Sequence, residues 1–190
     1  MSISSASWLG DVRDEFSGAK MPDSRLPARV RDCMAALQAK RDQSFPEAMV
    51  SPARLKGFYR LANNPRVDPL ALFEAHACST AERATGVDEV LVLHDTSTMK
   101  PRLASKDEVG EINTGAAGFY AHVSLAVDGQ GCPLGVVALE TLHRAPDRPR
   151  RDLGGSECAK LEGKESDRWL RAVEASEYRM GLAVRPIHVM

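Results

Sequence analysis

Two groups of residues in this 190-residue chain have types and spacings suited to chemistry. The first centres on Asp95, which directly follows the apolar, β-branched run EVLVLH. A carboxylate at the end of a buried strand is costly to leave unpaired, so it either caps a turn or holds a cation. Thr96, Ser97 and Thr98 follow it and keep the turn-capping role open. In the other role, a hard oxygen ligand on a rigid strand end fixes Mg²⁺, which retains waters and bridges to phosphate. A two-metal centre would need at least two further acids beside Asp95. The second group is basic. Arg25 and Arg29 stand four residues apart on one helix face, and Arg54, Lys56 and Arg60 lie on a later helix. Guanidinium groups bind phosphate oxygens in bidentate fashion and read guanine edges, so this layout suits duplex DNA. The alternative is an ordinary helical hairpin with basic solvent faces, in which Phe58 and Tyr59 are core.

The elements that must carry these residues follow from caps and periodicity. Residues 4–16 place Trp8, Val12 and Phe16 at helical spacing. Asp23 and Ser24 offer an N-cap to a helix with the stripe Leu26, Val30, Cys33, Met34 and Leu37. Ser44-Phe45-Pro46 opens a short helical turn, PEAMV. Ser51 caps PARLKGFYRLA and Asp68 caps PLALFEAHACSTAERA, which Gly86 ends. The 23–62 segment thus has a helix-turn-helix layout with a short middle element. From Glu89 the pattern changes to strands: EVLVLHDTS, GFYAHVSLAVD and PLGVVALETLHR, the last two joined by Gly129-Gln130-Gly131 as a hairpin turn. Residues 96–118 read as a long loop. A helix at about 164–182 carries Trp169, Leu170, Val173, Ser176 and Met180 on one side, and RPIHVM begins a further strand. The fold class is therefore α+β, with a helical domain over residues 1–86 and a strand-rich domain over 87–190.

Composition narrows the function. At 43% apolar and 27% charged the chain can bury an ordinary core. Aromatics at 5% argue against a lectin-like or base-stacking surface. Residues 20–66 carry ten basic side chains against four acids, while the remainder carries fifteen against twenty-two. That asymmetry points to a polyanion-binding module joined to something different. No run approaches a membrane span and no signal peptide opens the chain, so a cytoplasmic protein is expected. The four cysteines form no C-x-x-C pair and read as reduced thiols. The five histidines show no metal-ligand spacing, and His94 and Asp95, as strand neighbours, should point to opposite faces. There is no G-x-S-x-G, P-loop or dinucleotide fingerprint.

In order, PDSRLPARV, GFYRLANNPRVDPLALF, VLVLHDTS, AHVSLAVDGQGCPLGVVALET and KESDRWL resemble the transposases of the IS-four (Tn-five-like) family. The resemblance runs from about residue 5 to the end. It implies an N-terminal helical domain that binds the terminal inverted repeats of a mobile element. There Asp23, Arg25 and Arg29 stand for a D-x-R-x-x-x-R pattern whose arginines approach DNA. It also implies an RNase-H-like catalytic core: three antiparallel strands, a helix, then a strand parallel to the first. Asp95 would be the first acid of a DDE triad, a catalytic and metal-binding residue for Mg²⁺. In such enzymes two metals activate water to cut the element end, and the freed 3′-OH then attacks target DNA. The second acid is expected just beyond Met190, so the resemblance implies a core truncated before the second Asp and the Glu. The chain by itself is then expected not to cleave DNA. Two alternatives differ in class. One is a free-standing regulator that occupies the inverted repeats against a full-length transposase. The other is a small metal-dependent nuclease completing its site with Asp128, Glu140 or Asp167.

Overall fold

The computed structural model describes residues 12, 14–144, 166–181 and 184–190. The chain divides into two compact units, Met1–Ser79 and Thr80–Met190. This divide falls inside the fourth helix, whereas the sequence reading placed it after residue 86. Up to Ala84 the regular elements among the described residues are α1 (Arg25–Ala39), α2 (Phe45–Met49), α3 (Pro52–Ala62) and α4 (Pro69–Ala84). β1 (Val90–Met99), α5 (Lys106–Val109), β2 (Phe119–Asp128), β3 (Pro133–Leu142), α6 (Asp167–Met180) and β4 (Ile187–Val189) follow.

In the first unit the helix starts lie where short polar side chains meet proline. Ser44 and Glu47 form a reciprocal capping box at α2. The Ser51 hydroxyl accepts from Arg54 N–H at 3.3 Å, and the Asp68 carboxylate accepts from Leu70 N–H at 2.9 Å. At α1, of the two residues that offered a cap, Ser24 makes no side-chain cap, and Asp23 accepts from Arg25 N–H at 3.0 Å. Val30, Cys33, Ala36, Met49 and Leu61 form the core, with Leu26, Met34, Leu37, Leu55 and Phe58 packed against it. Burial pushes the Cys33 thiol pKa up, so it stays protonated and apolar in character. Between α2 and α3 the chain reverses over Val50 at φ 65°, where Ser51 N–H donates to Met49 C=O at 2.7 Å. That is a γ-turn in the conformation a β-branched residue least favours. Two expectations fail in this unit. Asp14–Gly18 is turn rather than the end of a helix, and Trp8 lies outside the described residues. Tyr59 is 46% exposed, not core, because it sits on the outward side of α3 while Phe58 turns inward.

The second unit is a four-stranded sheet of order β3-β2-β1-β4. β1 pairs antiparallel with β2, β2 with β3, and β4 lies parallel to β1. The order of three strands, a helix and a further strand agrees with the sequence reading, and the antiparallel and parallel pairings are those the resemblance implied. The hairpin is tied by Asp128, whose carboxylate accepts from Gln130 N–H at 2.9 Å and Cys132 N–H at 2.8 Å, and Gly131 supplies the positive φ of 83°. α6 packs across β3, β2 and β1 through Ala172, Ser176 and Met180. Leu170 is exposed instead, because it lies off the stripe that Trp169, Ala172, Val173 and Ser176 make. β1 is longer than expected. It continues through Thr96, Ser97 and Thr98 to Met99, so Asp95 lies within the strand, and the long connection begins only after Met99 and holds α5. The physical reason is pairing: Thr96, Ser97 and Thr98 stand opposite His122, Ala121 and Tyr120 of β2.

Candidate nucleic-acid interface and the Asp95 strand

The basic residues singled out above divide sharply. Arg25 is taken up locally. Its Nε and Nη2 donate to the Asp23 carboxylate at 3.1 and 2.8 Å, and these bonds hold the Asp23 pKa well below the usual carboxylate range. Arg29, Arg54, Lys56 and Arg60 are exposed, and none makes an ion pair with a carboxylate among the described residues. Arg29 reaches from α1 onto α3: its guanidinium lies against the backbone of Gly57, in the space a β-carbon there would fill. Arg54 and Arg60 flank Gly57 one turn before and one turn after it. The far side of α3 is a shallow groove of about 520 Å³ lined by Pro52, Leu55, Lys56, Tyr59, Arg60 and Asn63. Tyr59 and Asn63 belong to this surface and were missed in the sequence. Tyr59 lies three residues after Lys56 and Asn63 three after Arg60, and that spacing was the available signal.

Residues 5–67 match the model of the transposase DNA-binding family. The match covers about a third of the chain and contains α1, α2 and α3 with all five basic residues named above. The N-terminal part is thus that of a transposase-related, DNA-binding protein. Of the five basic residues named above, the four without an acid partner lie on α1 and α3, and the one that is neutralised, Arg25, opens α1.

The strand region carries different chemistry. Asp95 is exposed, on the face of β1 that also bears Leu91 and Leu93, opposite Val123 of β2 and beside β4. The desolvation cost expected for it does not arise, since its carboxylate meets solvent. Of the three acids weighed as partners, Asp167 opens α6, and the other two are engaged elsewhere. Asp128 binds its turn at the far end of the strand pair, opposite Val90, and Glu140 accepts from Arg171 Nε at 3.0 Å. Among the described residues no group of three or more His, Cys, Asp or Glu side chains could hold a metal ion. Among the described residues Asp95 stands without a group of acids that would fit a two-metal centre. Among the described residues no helix is long and apolar enough to cross a membrane.

The sequence gave no reason to group the histidines, yet three of them meet on the opposite face of the sheet. His94 Nε2 lies 2.8 Å from His188 Nδ1, and His94 Nδ1 lies 2.9 Å from the Ser124 hydroxyl. The His94 ring stacks on His188 at 5.1 Å and on His122 at 6.2 Å. Trp169 of α6 packs edge-on against His122 at 4.5 Å. Arg168 Nε donates to the Thr96 hydroxyl at 3.2 Å, which in turn lies 2.8 Å from His122 Nδ1. Burial first, then the charges of His188 and His122, pushes the His94 pKa down to about 4; burial lowers that of His122 as well. The His94 and His122 rings are therefore neutral packing and hydrogen-bonding groups. As expected, His94 and Asp95 leave opposite faces and form no dyad.

Proposed function

We propose that the protein binds duplex DNA at the terminal inverted repeats of a mobile element, through Arg29 of α1 and Arg54, Lys56 and Arg60 of α3. The carrying observation is that these cations lack acid partners within the segment that matches the transposase DNA-binding family. Like charges gathered on two neighbouring helices cost free energy without a counter-charge, and a phosphate backbone supplies it. The IS-four assignment rests on the motifs around Asp23, Tyr59, Asp95 and Trp169. An RNase-H-like reading of the second unit is supported by the strand order and by Asp95 on the central strand beside the parallel β4. On this reading Asp95 is the family's first catalytic acid, and Mg²⁺ its metal. That the described residues set no group of acids around Asp95 supports a DNA-binding role over a nuclease. It also keeps the second reading, a regulator that occupies the repeats against a full-length transposase.

The test is competition binding. A labelled duplex carrying the element's own ends should be retained when scrambled duplex is added in excess, and its affinity should fall linearly in log–log form with salt. Equal displacement by both competitors would leave only non-specific binding.

A further inference from the structure

Gly57 is the least expected residue of α3. It stands in the middle of an 11-residue helix, where glycine is about 1 kcal/mol worse than alanine, and its backbone angle is one that any residue adopts. What it provides is room. A β-carbon at residue 57 would lie 2.2 Å from Arg29 Nη1 and 3.4 Å from its Cζ. The Arg29 guanidinium therefore lies on the bare α3 backbone, and Gly57 is buried although Arg29 itself is exposed. The far end of an arginine is free to move, so a methyl group there would displace the guanidinium and leave both helices in place.

We propose that Gly57 is a positioning residue: it is the slot that seats Arg29 of α1 between Arg54 and Arg60 of α3, so that two helices present one row of guanidinium groups to the phosphate backbone. This rests on the DNA-binding reading above. Three cations drawn together repel one another, and in free solution Arg29 would swing away from Arg54 and Arg60. The slot removes the steric obstacle to its staying. A planar guanidinium lies flat on backbone in a way that an ammonium does not, which accounts for arginine at 29.

The experiment uses the full 190-residue chain and a fluorescein-labelled mixed-sequence duplex, with binding read by anisotropy and folding by thermal melting. Gly57→Ala should melt at the same or a higher temperature, because it improves helix propensity, and yet bind DNA about tenfold more weakly. Arg29→Ala should weaken binding to a similar degree, and the double variant should bind no worse than Arg29→Ala alone. A purely structural glycine would give the opposite pairing, with stability lost and binding following it. If Gly57→Ala fails to fold, Arg29→Lys gives the answer in a folded protein. It keeps the charge and should still weaken binding, and wild-type affinity for it would overturn the slot. Wild-type affinity for Gly57→Ala, or additive losses in the double variant, would also overturn it. Arg54→Ala separates the two levels. If it weakens binding while Gly57→Ala does not, the slot fails and the DNA-binding reading stands. If neither it nor Arg29→Ala weakens binding, the DNA-binding reading fails.

Discussion

The two units handle charge in opposite ways. In the helical unit, basic side chains at 29, 54, 56 and 60 are left without acid partners on exposed helix faces. In the sheet unit, polar groups are consumed internally: Glu140 by Arg171, Asp128 by its own turn, and His94 by Ser124 and His188. Charge left uncompensated on α1 and α3 leaves that surface open to a polyanion, which is the role proposed for the first unit.

The largest effect should come from removing the uncompensated cations together. Changing Arg29, Arg54, Lys56 and Arg60 to Ala should abolish measurable duplex binding at physiological salt and lower the log–log salt slope by about 3 to 4. Anisotropy titrations over a salt series check this, and an unchanged slope would break the comparison at its root.

Next comes acid. His94 is neutral in the fold with its pKa near 4, against 6.5 when unfolded, so between those values the unfolded chain binds more protons. The stability of the sheet unit should be full above about pH 6.5 and fall as pH drops toward 4, by up to about 3 kcal/mol. The helical unit should not follow. Its shifted carboxylates, Asp23 and Glu47, have lowered pKa values, so their contribution is complete above the usual carboxylate range and is lost only below it. Melting curves of a Trp8→Phe protein, followed through Trp169, report the sheet unit, and His94→Gln should flatten the dependence.

The smallest effect concerns Arg25. Because Asp23 neutralises it, Arg25→Ala should weaken DNA binding less than Arg29→Ala does, whereas Asp23→Ala, by freeing the guanidinium, should tighten binding a few-fold. Equal losses from Arg25→Ala and Arg29→Ala would show that the ion pair opens on DNA.

Much of this was legible in the sequence because local rules dominate where the chain is helical. Ser51-Pro52 and Asp68-Pro69 mark helix starts on their own, and the stripe of α1 predicts its buried side. The sequence of elements was readable too, since a hairpin turn marks β2 and β3 and a helix precedes the last strand, whereas the pairing of the strands came from the resemblance alone. The reach of β1 past Asp95 was not. Thr96, Ser97 and Thr98 look like turn residues until their partners on β2 are known. Nor was the histidine cluster. His94, His122 and His188 meet only because the β1–β2 register sets Thr96 opposite His122 and the parallel β4 register sets Val92 opposite His188. Tyr59 was misplaced because an aromatic at helical spacing reads as core unless the face is known.

The parallel β4 has a consequence for the order of folding. Leu91 and Ile187, which pair across it, lie roughly a hundred residues apart, and closing a loop of that size costs about 4 kcal/mol of chain entropy. The antiparallel β2–β3 hairpin closes over a turn of a few residues and faces almost none of that cost. Only three residue pairs and the His94–His188 contact reward the long closure. β4 is accordingly the last strand to join the sheet and the first to leave it. Amide protons of residues 187–189 should exchange with solvent well before those of β2, whose release awaits unfolding of the whole unit.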